Sequence, residues 1–194
     1  MATTKVVQVL FIQGGGAGTH DKWDNKLVDS LRQELNEGYE VRYPRMPDEE
    51  EPSRAAWIPG IRREMADLHA GAVVVGHSLG GTILVSALAE QPPERGLAAI
   101  VLIAAPFVGE GGWPSDDFEL PKDLGARLPH GVSVHVFHGL QDRTAPPSHA
   151  DLYAQVVPQA RVHLLPGRDH QLNNDLHDVA EAIKATQRRP ATSA

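Results

Sequence analysis

Six short apolar runs rich in β-branched residues recur along the chain, at 6–12, 39–43, 72–76, 98–103, 132–138 and 161–165. Longer stretches with helical patterning separate them, at about 22–36, 53–69, 79–90, 146–157 and 174–188. Strands that alternate with helices join by right-handed crossovers, which build a parallel sheet covered on both faces. Ala72-Val73-Val74-Val75 and Ile100-Val101-Leu102-Ile103 are apolar without interruption, as central parallel strands must be when both their faces are buried. The pattern predicts an α/β, doubly wound sheet of six parallel strands in the order 2-1-3-4-5-6. With 194 residues the chain suits one domain, 1–194, with a sizeable core.

Two segments depart from this rhythm. Residues 44–52 are rich in proline and acid and read as a loop. Residues 104–131 carry no clear strand and contain Gly109, Gly111, Gly112, Trp113 and Pro114. An insertion of that length in a compact domain is usually functional or disordered, and here it reads either as a short lid over the crevice or as an outer loop that packs its aromatics on the domain. The end of the chain, from about Arg189, reads as frayed, with the Arg188-Arg189 pair in a solvated tail.

The formal net charge of −7 argues against nucleic acid or an anionic membrane as a partner. The chain has no cysteine, which excludes disulfides, thiol nucleophiles and thiolate metal sites. The first apolar stretch, Val6 to Ile12, is too short to span a bilayer and lacks a cleavage region after it. These features together lead to the expectation of a cytoplasmic protein, with its oligomeric state left open.

The run Val73-Val74-Val75-Gly76-His77-Ser78-Leu79-Gly80-Gly81 has the form strand, G-x-S-x-G, helix. A nucleophilic serine needs a very tight strand-to-helix turn to project its hydroxyl from the sheet edge. Gly76 and Gly80 remove the side chains that would collide across that turn. The new helix then points its N-terminus, with free N–H groups, at the serine. By chance the pattern arises in roughly one in ten or twenty chains of this length, so its strand–helix setting carries the weight.

On this motif the sequence resembles the α/β-hydrolase superfamily. It is similar in particular to the small serine hydrolases related to the retinoblastoma-binding serine hydrolase. The resemblance extends to the glycine-rich loop before Thr19-His20-Asp21-Lys22-Trp23 and to Met46-Pro47-Asp48 followed by Trp57. It implies a minimal α/β-hydrolase fold and an order of serine, acid, histidine along the chain.

A serine hydroxyl needs an imidazole to take its proton and a carboxylate to hold that imidazole's tautomer. Two strands downstream of Ser78 end in suitable loops, Gly139-Leu140-Gln141-Asp142 and Gly167-Arg168-Asp169-His170. Asp142 and His170 thus lie beyond strand C-termini, the edge where open α/β sheets carry their ligand crevice. They also match the G-x-x-D and G-x-x-H patterns of the family. Among the rivals, His177 falls on the last helix and His163 in a strand. His77 adjoins Ser78 but should point away from it, and His138 is placed to support the site from behind. Asp169 reads as a loop cap and Asp151 as a helix residue.

The glycine-rich loop Gly14-Gly15-Gly16-Ala17-Gly18 follows the first strand. It lacks the Gly-Lys-Ser/Thr of a phosphate loop. It also lacks the last glycine of a dinucleotide fingerprint, and Tyr43-Pro44-Arg45 stands where the acidic residue should follow the second strand. The remaining functional reading is an oxyanion hole made by the N–H of Leu79 and one from this loop. Gln13 stands where the superfamily often has histidine, which maps the loop donor onto Gly15, with Gly14 and Gly16 as neighbouring alternatives.

Ten histidines raise the question of a metal, but His135 and His138 in H-x-x-H point to opposite faces of one strand and no H-E-x-x-H occurs. No metal and no cofactor are expected. Phe107 and Trp113, with Phe118 and Leu120, are expected to wall a small substrate pocket under the 104–131 segment. The expected activity is cleavage of small carboxylic esters through an acyl-enzyme. Thioesterase, amidase or perhydrolase chemistry on the same residues remains open, as does a binding protein that has kept the fold without turnover.

Overall fold

The computed structural model describes residues 6–187. The expected frayed end and the Arg188-Arg189 pair lie outside the described residues. Six strands form one sheet: β1 (Val7–Ile12), β2 (Tyr39–Arg42), β3 (Ala72–His77), β4 (Leu97–Ile103), β5 (Ser133–Gly139) and β6 (Ala160–Leu165). The order is β2-β1-β3-β4-β5-β6 and every pairing is parallel, as the alternation of strands and helices predicts.

Period-two alternation along each strand divides the core into two layers. Leu10, Ile12, Val74, Ile100, Leu102, Val134 and Val136 face one layer. There they meet α2 (Arg54–Ala66), α3 (Leu79–Glu90) and α5 (Ser148–Val156) through Trp57, Ile61, Leu84, Leu88 and Tyr153. Val9, Phe11, Val73, Val75, Val101, Ile103 and Phe137 face the other. That layer is closed by α1 (Asn25–Leu35) and α6 (His177–Gln187) through Leu27, Leu31, Val179 and Ile183. No helix among the described residues is long and apolar enough to cross a membrane.

Several boundaries move inward from the sequence reading, each for a local reason. The first helix starts at Asn25 instead of 22, because a wider π-helical turn, Thr19–Asp24, follows Gly18 in the left-handed region. The fifth helix begins at Ser148 after Pro146-Pro147, whose rings offer no N–H to a preceding turn. The last helix begins at His177, preceded by a 3-10 turn whose Leu172, Asn173 and Asn174 all have positive φ.

The 104–131 segment contains a short helix, α4 (Leu124–Arg127), and a bridge between Val108 and Trp113. Its first residues are held in place. Ala104 N–H donates to Phe137 O at 2.8 Å, and both Thr82 Oγ1 and Tyr153 Oη donate to Pro106 O, at 2.6 and 3.0 Å.

Candidate active site

Ser78 sits between β3 and α3 with φ 51° and ψ −133°, a backbone conformation that costs a non-glycine residue about 1–3 kcal/mol. The flanking glycines make it attainable. A Cβ on Gly76 would overlap Gly81 Cα, and one on Gly80 would overlap the Gln13 carbonyl oxygen. The turn is anchored by Ser78 N–H donating to Ile103 O at 2.8 Å, which ties it to the end of β4.

Residues 78, 142 and 170 come together at the C-terminal edge of the sheet. Ser78 Oγ lies 3.0 Å from His170 Nε2, and His170 Nδ1 lies 2.7 Å from Asp142 Oδ2. A carboxylate only accepts, so Nδ1 carries the proton and Nε2 is left to accept from the serine. The other Asp142 oxygen accepts the N–H groups of Thr144 and Ala145 at 2.8 and 3.0 Å. Burial alone would raise the pKa of Asp142; hydrogen bonds from His138 and His170 reverse this and hold it well below the usual carboxylate range. The Asp142 side chain is sealed from solvent while His170 remains 17% exposed. The acid is therefore fixed and the imidazole can be reached.

The rival histidines take other places. His138 Nε2 donates to Ala145 O at 2.8 Å and lies 3.1 Å from Asp142 Oδ2, so it backs the acid and does not face the serine. His163 is in β6, its ring stacked on Phe137 and 3.0 Å from His135. His177 is the first residue of α6 and pairs with Glu34. His77 turns away from the serine hydroxyl toward Asp24, 2.9 Å away. Asp169 caps its own loop by accepting from Gln171 and Asn173.

Of the three glycines that could supply the loop donor, Gly14, Gly15 and Gly16, one keeps its N–H free among the described residues. Gly14 N–H is taken by Asp24 Oδ2 at 2.7 Å, and Gly16 N–H by Glu49 O at 2.5 Å. Gly15 is left, half-exposed, with no partner for its N–H among the described residues. A Cβ on Gly15 would lie 3.5 Å from Leu79 Cδ2, so the loop passes close to the first residue of α3.

Gln13, which stands at the superfamily's histidine position, and Glu49, read from the sequence as part of a loop, hold this arrangement. Gln13, wholly buried, accepts Met46 N–H at 3.0 Å and donates to Glu49 Oε2 at 2.7 Å. Glu49 also accepts the N–H groups of Gly18 and His20, each at 3.0 Å. The acidic 44–52 segment thus straps the glycine loop from outside. The only sequence signal was its acid content, which does not say which of four carboxylates turns inward.

Phe107 is 4% exposed, its ring edge-on to Tyr153, and its N–H donates to His149 Nδ1 at 2.9 Å. Trp113 is half-buried with its ring edge against His149. Of these two expected pocket residues, Trp113 therefore offers the more accessible surface. An open depression is lined by Leu140, Arg143, Thr144 and Gln171 together with Asp142 and His170. Among the described residues no three His, Asp or Glu side chains are grouped to hold a metal ion.

No curated protein matches the chain in sequence. Solved structures do share its fold. The ydeN gene product of B. subtilis superposes with a TM-score of 0.71 at 19% identity, over 95% of this chain and 100% of that one. A serine hydrolase involved in carbazole degradation, CarC, gives 0.69 at 14% identity, over 94% and 91%. Est1E from Butyrivibrio proteoclasticus, solved with ferulic acid, gives 0.68 at 16% identity, over 96% and 90%. These likenesses support an α/β-hydrolase fold. The profile described as serine hydrolase matches residues 9–185, nearly the whole chain, and on that match this protein belongs to the serine hydrolase family.

Proposed function

We propose that this hydrolase cleaves small carboxylic esters by two-step acyl transfer, with Ser78 as nucleophile, His170 as its base and Asp142 orienting that base. The observation that carries the reading is the unbroken chain of contacts from Ser78 Oγ to His170 Nε2 at 3.0 Å and from His170 Nδ1 to Asp142 Oδ2 at 2.7 Å.

In the first step the Oγ–carbon bond forms as the hydroxyl proton passes to Nε2, and the carbonyl electrons move onto oxygen. The Gly15 and Leu79 N–H groups receive that oxyanion, in a site where fixed donors need no reorganisation. Collapse of the tetrahedral intermediate expels the alcohol, which takes the proton from His170. Water then repeats the sequence on the acyl-enzyme. Trp113 lies on a segment whose Pro106 is bound to Thr82, one turn beyond Ser78. In this reading Trp113 bounds the acyl group, and Phe107 supports it by accepting the Trp113 N–H at 2.8 Å. An esterase domain from a Rhodothermus marinus protein is among the structures that share this fold, which supports the choice of an ester.

Ser78→Ala should lower turnover of a p-nitrophenyl ester by about 10⁴-fold or more. A variant that keeps its activity rules out Ser78 as nucleophile. Failure of a fluorophosphonate probe to label the wild-type serine at neutral pH would instead favour a binding protein, and a panel of acyl donors separates ester from thioester and amide.

A further inference from the structure

Asp24 and His77 lie behind Ser78 and take no part in the proton transfer proposed above. Both side chains are buried, 0% and 1% exposed. His77 Nδ1 is 2.9 Å from Asp24 Oδ2, and its Nε2 is 3.1 Å from the carbonyl oxygen of His170. Both partners are acceptors. A neutral imidazole has one N–H and would turn a lone pair toward one of these oxygens, so only a ring with two N–H donors satisfies both contacts. Burial opposes charge on both groups, but Asp24 outweighs it and raises the pKa of His77, while His77 and the Gly14 N–H outweigh it and lower that of Asp24.

The same carboxylate reaches further. Asp24 Oδ2 accepts the Gly14 N–H at 2.7 Å, and Oδ1 lies 3.4 Å from Gln171 Nε2. The fit around it is close, since a Cβ on Gly14 would stand 3.1 Å from Ser78 Cβ and 3.2 Å from His77 Nδ1. Three segments distant in sequence thus meet at one charged pair: the glycine loop through Gly14, the serine turn through His77, and the histidine loop through the His170 carbonyl and Gln171.

We propose that the buried His77 imidazolium and Asp24 carboxylate are positioning residues that hold the oxyanion loop and the His170 backbone in register with Ser78. The proposal rests on the hydrolase reading of that serine. A buried ion pair contributes little net stability, because desolvation offsets the attraction. Here its contribution is geometric, and a shift of about 1 Å between catalytic groups is enough to cost on the order of 10²-fold in rate.

Two measurements test it. In ¹⁵N-labelled wild-type protein at pH 8, imidazole spectra assigned through bonds to the backbone should show both His77 nitrogens protonated, with two slowly exchanging ring protons. A single N–H overturns the charged pair, and this result does not depend on any activity or on any variant folding. In Asp24→Asn, shown folded by circular dichroism, kcat for a p-nitrophenyl ester and the rate of fluorophosphonate labelling should both fall about 10–100-fold. KM should stay within a few-fold. Labelling of the folded variant at the wild-type rate overturns the positioning role. Wild-type protein that does not label at all would refute the hydrolase reading instead, and the two failures are thereby told apart.

Discussion

Asp142→Asn is the substitution for which the geometry makes the sharpest demand. One carboxylate oxygen accepts two backbone N–H groups, from Thr144 and Ala145 at 2.8 and 3.0 Å. In the variant these donors hold the amide oxygen in that place, so the NH₂ group takes the position of Oδ2. That position faces His170 Nδ1 at 2.7 Å and His138 Nε2 at 3.1 Å. His170 can meet an amide donor only by accepting at Nδ1, which moves its proton to Nε2, the atom 3.0 Å from Ser78 Oγ. An imidazole already protonated there cannot take the serine proton. The wrong tautomer should lower kcat on the order of 10⁴-fold, about 5.5 kcal/mol on the barrier. His138 keeps its 2.8 Å bond to Ala145 O, so the fold should survive with the loss of one charge-assisted hydrogen bond, about 1.5–3 kcal/mol. Steady-state kinetics with a p-nitrophenyl ester, alongside a thermal melt, reads both quantities. A folded Asp142→Asn protein within tenfold of wild-type kcat would refute the claim that this carboxylate orients the base.

Two further outcomes concern stability. Burial, and then His163 and Arg161, lower His135 to a pKa of about 4, so the folded protein keeps it neutral while the unfolded chain takes up a proton near pH 6.5. Its contribution to stability is therefore complete above about pH 6.5 and is lost as the pH falls toward 4. Unfolding free energies from urea titrations between pH 7 and 4 should decline less steeply for His135→Phe, by up to about 1.4 kcal/mol per pH unit, and parallel curves would exclude the effect. Glu49→Gln replaces one of two oxygens that accept from Gln13, His20 and Gly18, leaving at least one donor facing an NH₂ group. A loss of about 1–3 kcal/mol is expected, read as a lower melting temperature; an unchanged melt would mean the 44–52 strap carries no load.

Much of this molecule was legible in local pattern. The β-branched runs could become only strands, and their alternation with helices left a parallel sheet as the architecture that buries both faces of Val73–Val75 and Ile100–Ile103. The G-x-S-x-G turn announced itself because its glycines answer a steric demand among neighbouring residues, now visible as contacts of Gly76 and Gly80 with Gly81 and Gln13. Asp142 and His170 could be picked out because each follows a strand, and parallel strands bring all their C-termini to one edge.

What stayed hidden was every relation between segments with no shared periodicity. Asp24 falls inside the helix expected at about 22–36, and nothing in its neighbourhood shows that it would meet His77, 53 positions away, and Gln171, 147 positions away. The choice of Gly15 over its neighbours as the free N–H donor likewise depended on Asp24 and Glu49 occupying Gly14 and Gly16. Phe107 and Trp113 read alike as aromatic wall residues, yet packing against Tyr153 buried the first and left the second partly open. Sequence determines which groups are present and which way each strand or turn directs them. Only the packed chain decides which acceptor claims which donor, because that competition is settled by distances between residues far apart along the backbone.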